Sequence, residues 1–368
     1  MKWSNGCRIR LMLFGIVVVF VLGGGRAKAD FVFGEPTNLG PTVNSSAVDI
    51  GPYLSPDGLT LHFTSPRPSG YGIVGMWVTK RESNGHPWEE PVPLGPPFNT
   101  DHKDADYEIS ADGLELFFGS DRPGGHGAVD IWVAMRESQD ADWGDPVNLG
   151  SLVNSPADEA APSISANGLE LYFSGWRPEF ARPGSNWSDI WVTTRPTKYD
   201  PWGEPVNLGP VVNSSTQDAR PCISSDGLAL FFDSQRHGRL GDGDLYMTRR
   251  ATVAEPWGTP VSLGPVVNSL AFDECPYIST DGSTLFFDSL RPGGSGDLDL
   301  WQAPIIPIVD FNGDRIVDAE DMCIMVDHWG TDYSFCDIGP MPWGDGVVDV
   351  QDLIILAEHL FEGVPVVQ

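Results

Sequence analysis

The C-terminal part of the chain contains a twelve-residue run, DFNGDRIVDAED, in which nearly every second residue carries a side-chain oxygen. Its positions 1, 3, 5, 9 and 12 are Asp310, Asn312, Asp314, Asp318 and Asp321, and position 7 is Ile316, which can offer its backbone carbonyl. This spacing of oxygens is that of an EF-hand-like loop, so the run predicts a calcium site. Arg315 stands at position 6, where the turn prefers positive φ, and is expected to weaken the site by about 1 kcal/mol.

A second loop of the same kind follows, but its first half departs from the pattern. Its positions 5, 9 and 12 are Asp345, Asp349 and Asp352. Counting back places Met341 and Trp343 at positions 1 and 3, and neither side chain can bind calcium. Asp337 lies eight residues before Asp345 instead of four, as though four residues were inserted. We therefore expect Asp337 to replace the first ligand of this loop.

Both loops are followed by apolar runs with helical spacing, MCIMVDHW after the first and LIILAEHLF after the second. With aspartate at position 12 of each loop, this segment resembles a type I dockerin. The resemblance implies a small α-helical, EF-hand-like domain over residues 305–368, calcium as its cofactor and a cohesin-like protein as its partner. The positions that dockerins use for partner recognition hold Ala319, Glu320, Val350 and Gln351. The alternative is an acidic, disordered tail.

The N-terminus has the features of an export signal. Lys2, Arg8 and Arg10 precede an apolar run at 11–22, and the small-residue site AKA follows. This pattern predicts a signal peptide over residues 1–29. The apolar run is shorter than the roughly 20 residues that a membrane-spanning helix needs, so we expect no transmembrane anchor. The mature chain is expected to be secreted, whether extracellular, periplasmic or at the cell surface.

The charge of the chain excludes one class of partner. Removing residues 1–29 deletes five basic residues and no acids, which leaves 17 basic and 51 acidic residues and a net charge of −34. A protein that binds nucleic acid must neutralise phosphates with Lys and Arg. Nucleic acid is therefore excluded as a partner.

The mature chain retains four cysteines, an even number that permits two disulfides in an exported protein. Cys323 and Cys336 lie in the same small segment and are the predicted pair, with a stabilisation of about 2–3 kcal/mol. Cys222 and Cys275 lie in neighbouring repeats, and the sequence leaves their pairing open.

Most of the mature chain is a fivefold repeat, marked by turn dipeptides spaced 55, 55, 59 and 55 residues apart. These are Asp57-Gly58, Asp112-Gly113, Asn167-Gly168, Asp226-Gly227 and Asp281-Gly282. Asp-Gly or Asn-Gly between two apolar runs is the strongest local signal of a hairpin. Phrases such as DIWVAMR and WGDPVNLG supply a third and a fourth strand in each repeat. Such units predict the blades of a β-propeller, and an open β-solenoid is the alternative.

The two ends of the repeat array complement each other. The fifth repeat stops at Trp301-Gln302 without a WGxPVxLG strand, whereas FGEPTNLG at 33–40 supplies that phrase before the first repeat. An N-terminal strand that completes the last blade removes both exposed sheet edges. The sequence therefore predicts an all-β, five-bladed propeller over residues 30–304, closed by the N-terminal strand and followed by a short linker.

Residues 45–301 resemble the PD40 or WD40-like repeats of TolB-type propellers. The SPDG turn of that family appears here as SADG at 110–113, and its FxSxRxGGxGxDIW phrase appears as FGSDRPGGHGAVDIW. The resemblance implies the same propeller fold. It does not specify a function, because propellers host binding proteins and enzymes alike.

An acid stands eight residues before every turn, and the five are Asp49, Asp104, Glu159, Asp218 and Asp273. If the strand that enters the turn is the innermost one, these carboxylates ring one mouth of the channel. They would then bind a cation or a glycan, or serve a polysaccharide-active hydrolase or lyase. Alternatively, each acid pairs with an arginine of its own blade, among Arg67, Arg122, Arg177, Arg236 and Arg291. Repetition in every blade favours the structural interpretation, because catalysis needs carboxyls in unequal environments.

A second set of acids opens the third strand of four repeats, namely Asp130, Asp189, Asp244 and Asp299. We expect these acids to form ion pairs with arginine across each loop, which is an ordinary structural use of such residues.

The third repeat has four extra residues in the loop GWRPEFARPGSNWSD. Since loops often carry function, this insertion is the candidate ligand-binding loop for a glycan or peptide. Its candidate residues are Trp176, Arg177, Arg182 and Trp187. GxSxG, HExxH and P-loop phrases do not occur in the sequence, which disfavours a serine or zinc hydrolase.

These features predict an exported propeller for binding or scaffolding, attached to a larger extracellular assembly through a calcium-dependent dockerin. The main alternative is a polysaccharide-active glycoside hydrolase or lyase that uses the acids at the channel mouth. A purely structural envelope protein is a third interpretation.

Overall fold

The computed structural model describes residues 31–68, 74–176, 188–307, 309–312, 316–331, 336–339 and 347–360. The strands are β1 (Phe31–Phe33), β2 (Thr37–Asn38), β3 (Ile50–Leu54), β4 (Thr60–Ser65), β5 (Gly75–Lys80), β6 (Val92–Pro93), β7 (Asp104–Ile109), β8 (Glu115–Ser120), β9 (Asp130–Met135), β10 (Val147–Asn148), β11 (Asp158–Ile164), β12 (Glu170–Trp176), β13 (Asp189–Thr194), β14 (Val206–Asn207), β15 (Asp218–Ile223), β16 (Ala229–Ser234), β17 (Asp244–Arg249), β18 (Val261–Ser262), β19 (Asp273–Ile278), β20 (Thr284–Ser289) and β21 (Asp299–Pro307). The helices are α1 (Gly209–Val212), α2 (Gly264–Val267), α3 (Ala319–Asp327) and α4 (Val350–Glu358).

The strands form five antiparallel sheets. Their orders are β3-β4-β5-β6, β7-β8-β9-β10, β11-β12-β13-β14, β15-β16-β17-β18 and β19-β20-β21, the last completed by β1 and β2. The first strands of the five sheets contact one another in a closed ring, so they are the innermost strands and line a central channel. The sheets are therefore blades 1 to 5 of a five-bladed propeller, as the repeats predicted.

The hairpin at the start of each blade is formed by the repeated turn. In blade 2 the Gly113 N–H donates to the Ser110 carbonyl at 2.7 Å, and the Leu114 N–H donates to the Asp112 carboxylate at 3.1 Å. Gly113 has φ 75°, a conformation that glycine adopts without steric cost. Local turn chemistry therefore fixes the pairing of β7 with β8.

The ring closes by exchange of the N-terminal strand, as predicted. In β2, Asn38 pairs with Trp301 of β21, just as Asn148 pairs with Trp132 inside blade 2. The short strand β1 extends this pairing, with Val32 opposite Ile306. The strand β21 runs to Pro307, so the predicted domain boundary at 304/305 falls within a paired strand.

A buried asparagine ties each blade to the next. In blade 3, Asn154 accepts from the Ile131 N–H at 2.9 Å and donates to the Ile131 carbonyl at 3.0 Å, which fixes it to the third strand of blade 2. The same pairs are Asn99 with Met76, Asn213 with Ile190, Asn268 with Leu245 and Asn44 with Leu300. The last pair joins residues 256 positions apart and closes the ring.

Each innermost strand contains a β-bulge, where the register with the second strand shifts. The residue in the bulge has a φ of 50° to 63°, in the left-handed region, in all five blades. These residues are Gly51, Asp106, Ala161, Arg220 and Cys275. The N–H of Arg220 donates to Ser174 of the preceding blade at 2.7 Å, and the N–H of Asp106 donates to Thr64 at 3.1 Å. We refer to these five residues as the bulge ring.

The C-terminal segment has a small core of its own, to which Phe311, Val317, Met325, Val348 and Leu356 contribute. The helices α3 and α4 contact each other. The turn after α3 is linked to the loop before α4, since the Val348 N–H donates to the Thr331 carbonyl at 2.9 Å. No helix in the described ranges is long and apolar enough to cross a membrane.

Candidate functional site

The first loop of the C-terminal segment is organised around Asp321, which is fully buried. Its Oδ1 accepts the N–H groups of Phe311 and Asn312 at 2.7 and 3.1 Å, and its Oδ2 accepts the N–H of Asp318 at 2.9 Å. Asp318 in turn caps α3 by accepting the Glu320 N–H at 2.7 Å. This capping box joins the start of the loop to the first turn of the helix.

The second loop repeats this arrangement around Asp352, which is also fully buried. Its Oδ1 accepts the N–H groups of Ile338 and Gly339 at 2.5 and 2.7 Å, and its Oδ2 accepts the N–H of Asp349 at 2.7 Å. Asp349 caps α4 through the Gln351 N–H at 2.8 Å. Burial raises the pKa of Asp352 above its usual range. The two loop and helix units thus share one hydrogen-bond pattern.

The shared pattern locates the counterpart of Asp310 in the second loop. The two residues after Asp310 donate to Asp321, and the two residues after Asp337 donate to Asp352. Asp337 therefore has the same relation to its helix as Asp310, although the second loop is four residues longer. The other predicted ligands Asp314 and Asp345 lie outside the described residues.

The donor set of both loops suits calcium, a hard cation that binds carboxylate and carbonyl oxygens. Asp310, Asn312, Asp318, Asp321 and the Ile316 carbonyl would hold one ion, and Asp337, Asp349 and Asp352 would hold another. Among the described residues, a close group of possible metal ligands occurs in the propeller. There, ligand atoms of three acidic or cysteine side chains all lie within 4.8 Å of one another.

The residues predicted for partner recognition are all on the surface. Ala319, Glu320, Val350 and Gln351 are exposed and lie in the first turns of α3 and α4. Val350 is 56% exposed, which is high for an apolar side chain. The two first turns are therefore accessible to a partner protein.

The predicted disulfide between Cys323 and Cys336 is not formed, although both residues are described. Cys336 is buried within the core of the segment, whereas Cys323 is on the exposed side of α3. Cys222 and Cys275 are buried thiols and are not bridged either.

The five acids predicted at the channel mouth are each 0% exposed, and they serve the blades rather than the channel. Asp218 accepts from Arg236 at 2.6 Å and from the Ser234 hydroxyl at 2.6 Å. The same arginine pairing occurs for Asp49 with Arg67, Asp104 with Arg122 and Asp273 with Arg291. Glu159 accepts from the Ser155 N–H and hydroxyl at 2.8 and 2.6 Å. For the four aspartates, this is the alternative in which each acid pairs with an arginine of its own blade.

The prediction that the second set of acids pairs with arginine is wrong for Asp130, Asp244 and Asp299, because the arginines of those blades are bound to the first set. Arg177, the arginine next to Asp189 in the third repeat, lies outside the described residues. Asp130 accepts the N–H groups of His126 and Gly127 at 2.5 and 2.8 Å, together with the side chain of Asn148 at 2.8 Å. Asp299 accepts the Asn38 side chain of the N-terminal strand at 3.0 Å. These acids therefore fix loop backbones and the outermost strands.

The candidate ligand loop of the third repeat is described only at its start. Trp176 is 40% exposed at the end of β12. Arg177, Arg182 and Trp187 lie outside the described residues.

The channel contains a polar cluster that the sequence analysis did not identify. Arg220, in the bulge ring, donates to Glu274 at 2.7 Å and to Asp233 at 3.3 Å. Burial raises the pKa of Asp233 to about 7, and the Arg220 guanidinium opposes that shift. An alignment of the repeats marks these residues as unusual. Asp233 stands where blades 1 and 3 have Thr64 and Ser174, and Glu274 stands where the other blades have alanine or isoleucine.

Glu108, in the innermost strand β7, lines a small cavity of about 50 Å³. Burial raises the pKa of Glu108 to about 8, although Ser163 and the Ile164 N–H oppose this shift by favouring the ionised form. Because the folded protein keeps this proton between pH 4.5 and about 8 while the unfolded chain releases it, Glu108 lowers the stability as pH rises through that range.

We expect the Glu108→Gln variant to lose this pH dependence. Between pH 5 and pH 9, the free energy of unfolding of the wild type should fall relative to that of the variant by at least about 1.4 kcal/mol, the equivalent of one pKa unit. Urea unfolding at the two pH values measures the difference. The exposed Glu137→Gln variant is the control and should follow the wild type.

A larger cavity of about 430 Å³ lies at the closure seam between blades 1 and 5. Its walls include Glu35, Asp57, Arg81, Asn84, Asp281 and Gln302. In blades 3 and 4 the equivalent arginines, Arg195 and Arg250, bind Glu115 and Glu170 of the preceding blade. Thr284 stands in the place of these glutamates at the seam, and Asp281 of blade 5 is the acid that interacts electrostatically with Arg81 there. We call this cavity the seam cleft.

The chain matches no protein-family model and no curated protein. Among solved structures it is similar to TolB from Acinetobacter baumannii, with 15% identity over 72% of this chain and a TM-score of 0.46. The match spans 56% of that TolB chain. It is also similar to a thermostable family-43 glycoside hydrolase (15% identity, 74% of this chain and 92% of the other, TM-score 0.48). A third neighbour is the catalytic domain of a GH62 α-L-arabinofuranosidase from Coprinopsis cinerea. The two chains are 10% identical, the match covers 76% of this chain and 98% of the other, and the TM-score is 0.47.

Proposed function

We propose that this protein is an exported binding propeller that a calcium-dependent, dockerin-like C-terminal domain attaches to a larger extracellular assembly. The observation that carries the proposal is the repeated hydrogen-bond pattern around Asp321 and Asp352. A paired calcium module requires two loop and helix units, and here the first has oxygen ligands at the spacing of a calcium loop while the second has the same hydrogen-bond pattern with four extra residues.

Calcium would link the loops to their helices and so set the positions of the first helical turns. The exposed residues Ala319 and Glu320 on α3, and Val350 and Gln351 on α4, would then contact a cohesin-like receptor. The strongly acidic propeller is compatible with this role, because it repels nucleic acid and other acidic surfaces.

The seam cleft is the proposed ligand site of the propeller. Its volume of about 430 Å³ lies in the range of small-molecule sites, roughly 300–1,000 Å³. Hydrogen-bonding side chains such as Asn84 and Gln302, next to the Arg81 guanidinium, suit a glycan or a short peptide. A glycan array probed with the mature chain identifies ligands of the first kind.

The Asp321→Asn variant tests the calcium module. We expect the mature chain to bind two calcium ions, and the variant to bind one of them at least about 10-fold more weakly, because a ligand charge is removed. Isothermal titration calorimetry after chelator treatment measures both values.

Asp327→Asn provides the matched control, since Asp327 is exposed at the end of α3 and outside both loops. Its calcium titration should coincide with that of the wild type. Absence of calcium binding by the wild type, or equal loss in both variants, would contradict the proposal.

Polysaccharide hydrolysis is the second candidate function. The acids at the channel mouth are bound within their blades, so a proton donor would have to come from elsewhere, and Glu108 with its raised pKa has the required property. The adjoining cavity of about 50 Å³ is far smaller than ordinary ligand sites. For this reason we favour the binding function.

A further inference from the structure

Three residues of blade 5 bring metal-binding atoms together beside the channel. Glu274, Cys275 and Asp288 each offer one ligand atom, and these atoms all lie within 4.8 Å of one another. Glu274 and Cys275 are consecutive in β19, and Asp288 is opposite Glu274 in β20. All three residues are buried. The pairing of two central strands therefore fixes their relative positions.

Asp288 has an oxygen atom without a partner. The Gly51 N–H donates to Oδ1 at 3.1 Å, whereas the buried Oδ2 receives no hydrogen bond from a nitrogen or oxygen donor, and the Cys275 thiol lies beside the carboxyl group. Asp288 is 0% exposed, so bulk water does not solvate this oxygen. An unsatisfied buried polar atom costs about 1–3 kcal/mol. A cation held with Glu274 and Cys275 would supply the missing partner.

The charges around the cluster also favour a cation. Arg220 donates to Glu274 and Asp233, so a single guanidinium is shared by two carboxylates. Asp288 and the bulge residue Asp106 also influence this arginine or its neighbours electrostatically. One guanidinium thus interacts with four carboxyl groups, and a bound cation would favour the ionised form of those nearest to it.

The fold does not require this combination of side chains, although Asp288 also accepts the Gly51 N–H, as Thr64 accepts that of Asp106. At the place of Glu274 the other blades have Ile50, Ala105, Ala160 and Ala219, and at the place of Cys275 they have the other four members of the bulge ring. At the place of Asp288, blades 1 to 4 have Thr64, Gly119, Ser174 and Asp233. Glutamate, cysteine and aspartate occur together in blade 5 alone.

The space beside the cluster fits a small ligand. Cys275 and Arg220 also line the channel cavity of about 50 Å³. Since a water molecule needs roughly 10–15 Å³ of such volume, the cavity holds a few waters and is too small for a sugar ring. A metal ion with one or two water molecules is of the appropriate size.

We propose that Glu274, Cys275 and Asp288 form a binding site for a divalent transition-metal ion of the zinc class. A thiolate combined with two carboxylates is a donor set for zinc or cobalt rather than for calcium or magnesium, which prefer oxygen alone. On binding, the Cys275 thiol releases its proton to solvent and a sulfur–metal bond forms, with no change in oxidation state. This site is independent of the calcium loops.

Cobalt titration of the mature full-length chain tests the proposal, because Co²⁺ bound to a thiolate gives a charge-transfer absorption in the near ultraviolet. The titration is made in saturating calcium, so that the oxygen sites of the C-terminal segment are already filled. We expect one equivalent of Co²⁺ to produce the band, and zinc to abolish it by displacement. The Cys275→Ser variant should lack the band.

Cys222→Ser is the matched control, since Cys222 is also buried and lines the same cavity in blade 4. This variant should keep the band. If Cys275→Ser does not fold, Asp288→Asn retains the thiol and the side-chain shape, and its zinc affinity should fall at least about 10-fold. The proposal is overturned if the wild type shows no band, if the band persists in Cys275→Ser, or if Asp288→Asn binds zinc as the wild type does.

Discussion

The Asp218→Ala variant is expected to lower the free energy of unfolding by about 3–5 kcal/mol. Asp218 is 0% exposed and accepts hydrogen bonds from Arg236, Ser234 and the Ser214 N–H. Removing the carboxylate leaves the Arg236 guanidinium, whose side chain is 15% exposed, without its counter-charge. Urea unfolding followed by tryptophan fluorescence measures the loss.

Two further variants separate the causes of this loss. Asp218→Asn keeps the shape and part of the hydrogen bonding but removes the charge, so its stability should lie between those of the wild type and Asp218→Ala. Asp242→Ala changes an exposed aspartate of the same blade and should alter stability by less than about 0.5 kcal/mol. A loss below about 1 kcal/mol for Asp218→Ala would show that the ion pair does not hold the blade together.

Deleting residues 30–39 from the mature chain is expected to cost several kcal/mol and to cause self-association. The deletion removes β1 and β2, and with them the pairing to β21 and the Asn38 bond to Asp299. Each backbone hydrogen bond contributes about 1 kcal/mol net, and the uncovered edge of β21 is free to pair with another chain. Thermal unfolding and size-exclusion chromatography with light scattering measure the two effects.

A synthetic peptide of residues 30–39 should restore the melting temperature and the monomeric state of the deleted protein when added in excess. A peptide of the same composition in scrambled order is the control and should restore neither. If the truncated chain remained monomeric and as stable as the wild type, closure by strand exchange would not contribute to folding.

The propeller could be predicted because its determinants are local and repeated. An Asp-Gly turn specifies its hairpin through a few neighbouring atoms, and the missing strand of blade 5 is visible as a phrase displaced to residues 33–40. Ring closure joins distant parts of the chain, yet it could also be predicted from the sequence. Asn38 and Asn148 occur in the same sequence phrase, and each donates to the aspartate that opens the third strand of its blade.

The partners of individual charges were less predictable. In four of the five repeats, two acids lie near one loop arginine in the sequence. The sequence does not show that the loop backbone already satisfies Asp130 through His126 and Gly127. The disulfide failed for a related reason, because helix phase places Cys323 on the outer side of α3 while Cys336 is in the core. Ion-pair partners and disulfide pairing depend on which side chains are close together once the blades and helices have packed.

The channel cluster was missed because its members lie in four strands of two blades. Arg220 and Asp233 come from blade 4, whereas Glu274 and Asp288 come from blade 5, and none belongs to a recognisable motif. Small or neutral residues occupy most other places in their alignment columns, except that Asp106 shares the column of Arg220, and Asp233 and Asp288 share one column. Departures from the repeat, rather than its constant residues, would have indicated the site.

The bulge ring has a consequence for how such a protein diversifies after gene duplication. At these positions the backbone N–H of Gly51, Asp106 or Arg220 makes the bond to the previous blade, so the side chain is not needed for assembly. Five copies of one ancestral unit could thus acquire five different groups around a common axis, at the modest conformational cost of a left-handed residue. A symmetric scaffold can in this way evolve an asymmetric centre one substitution at a time.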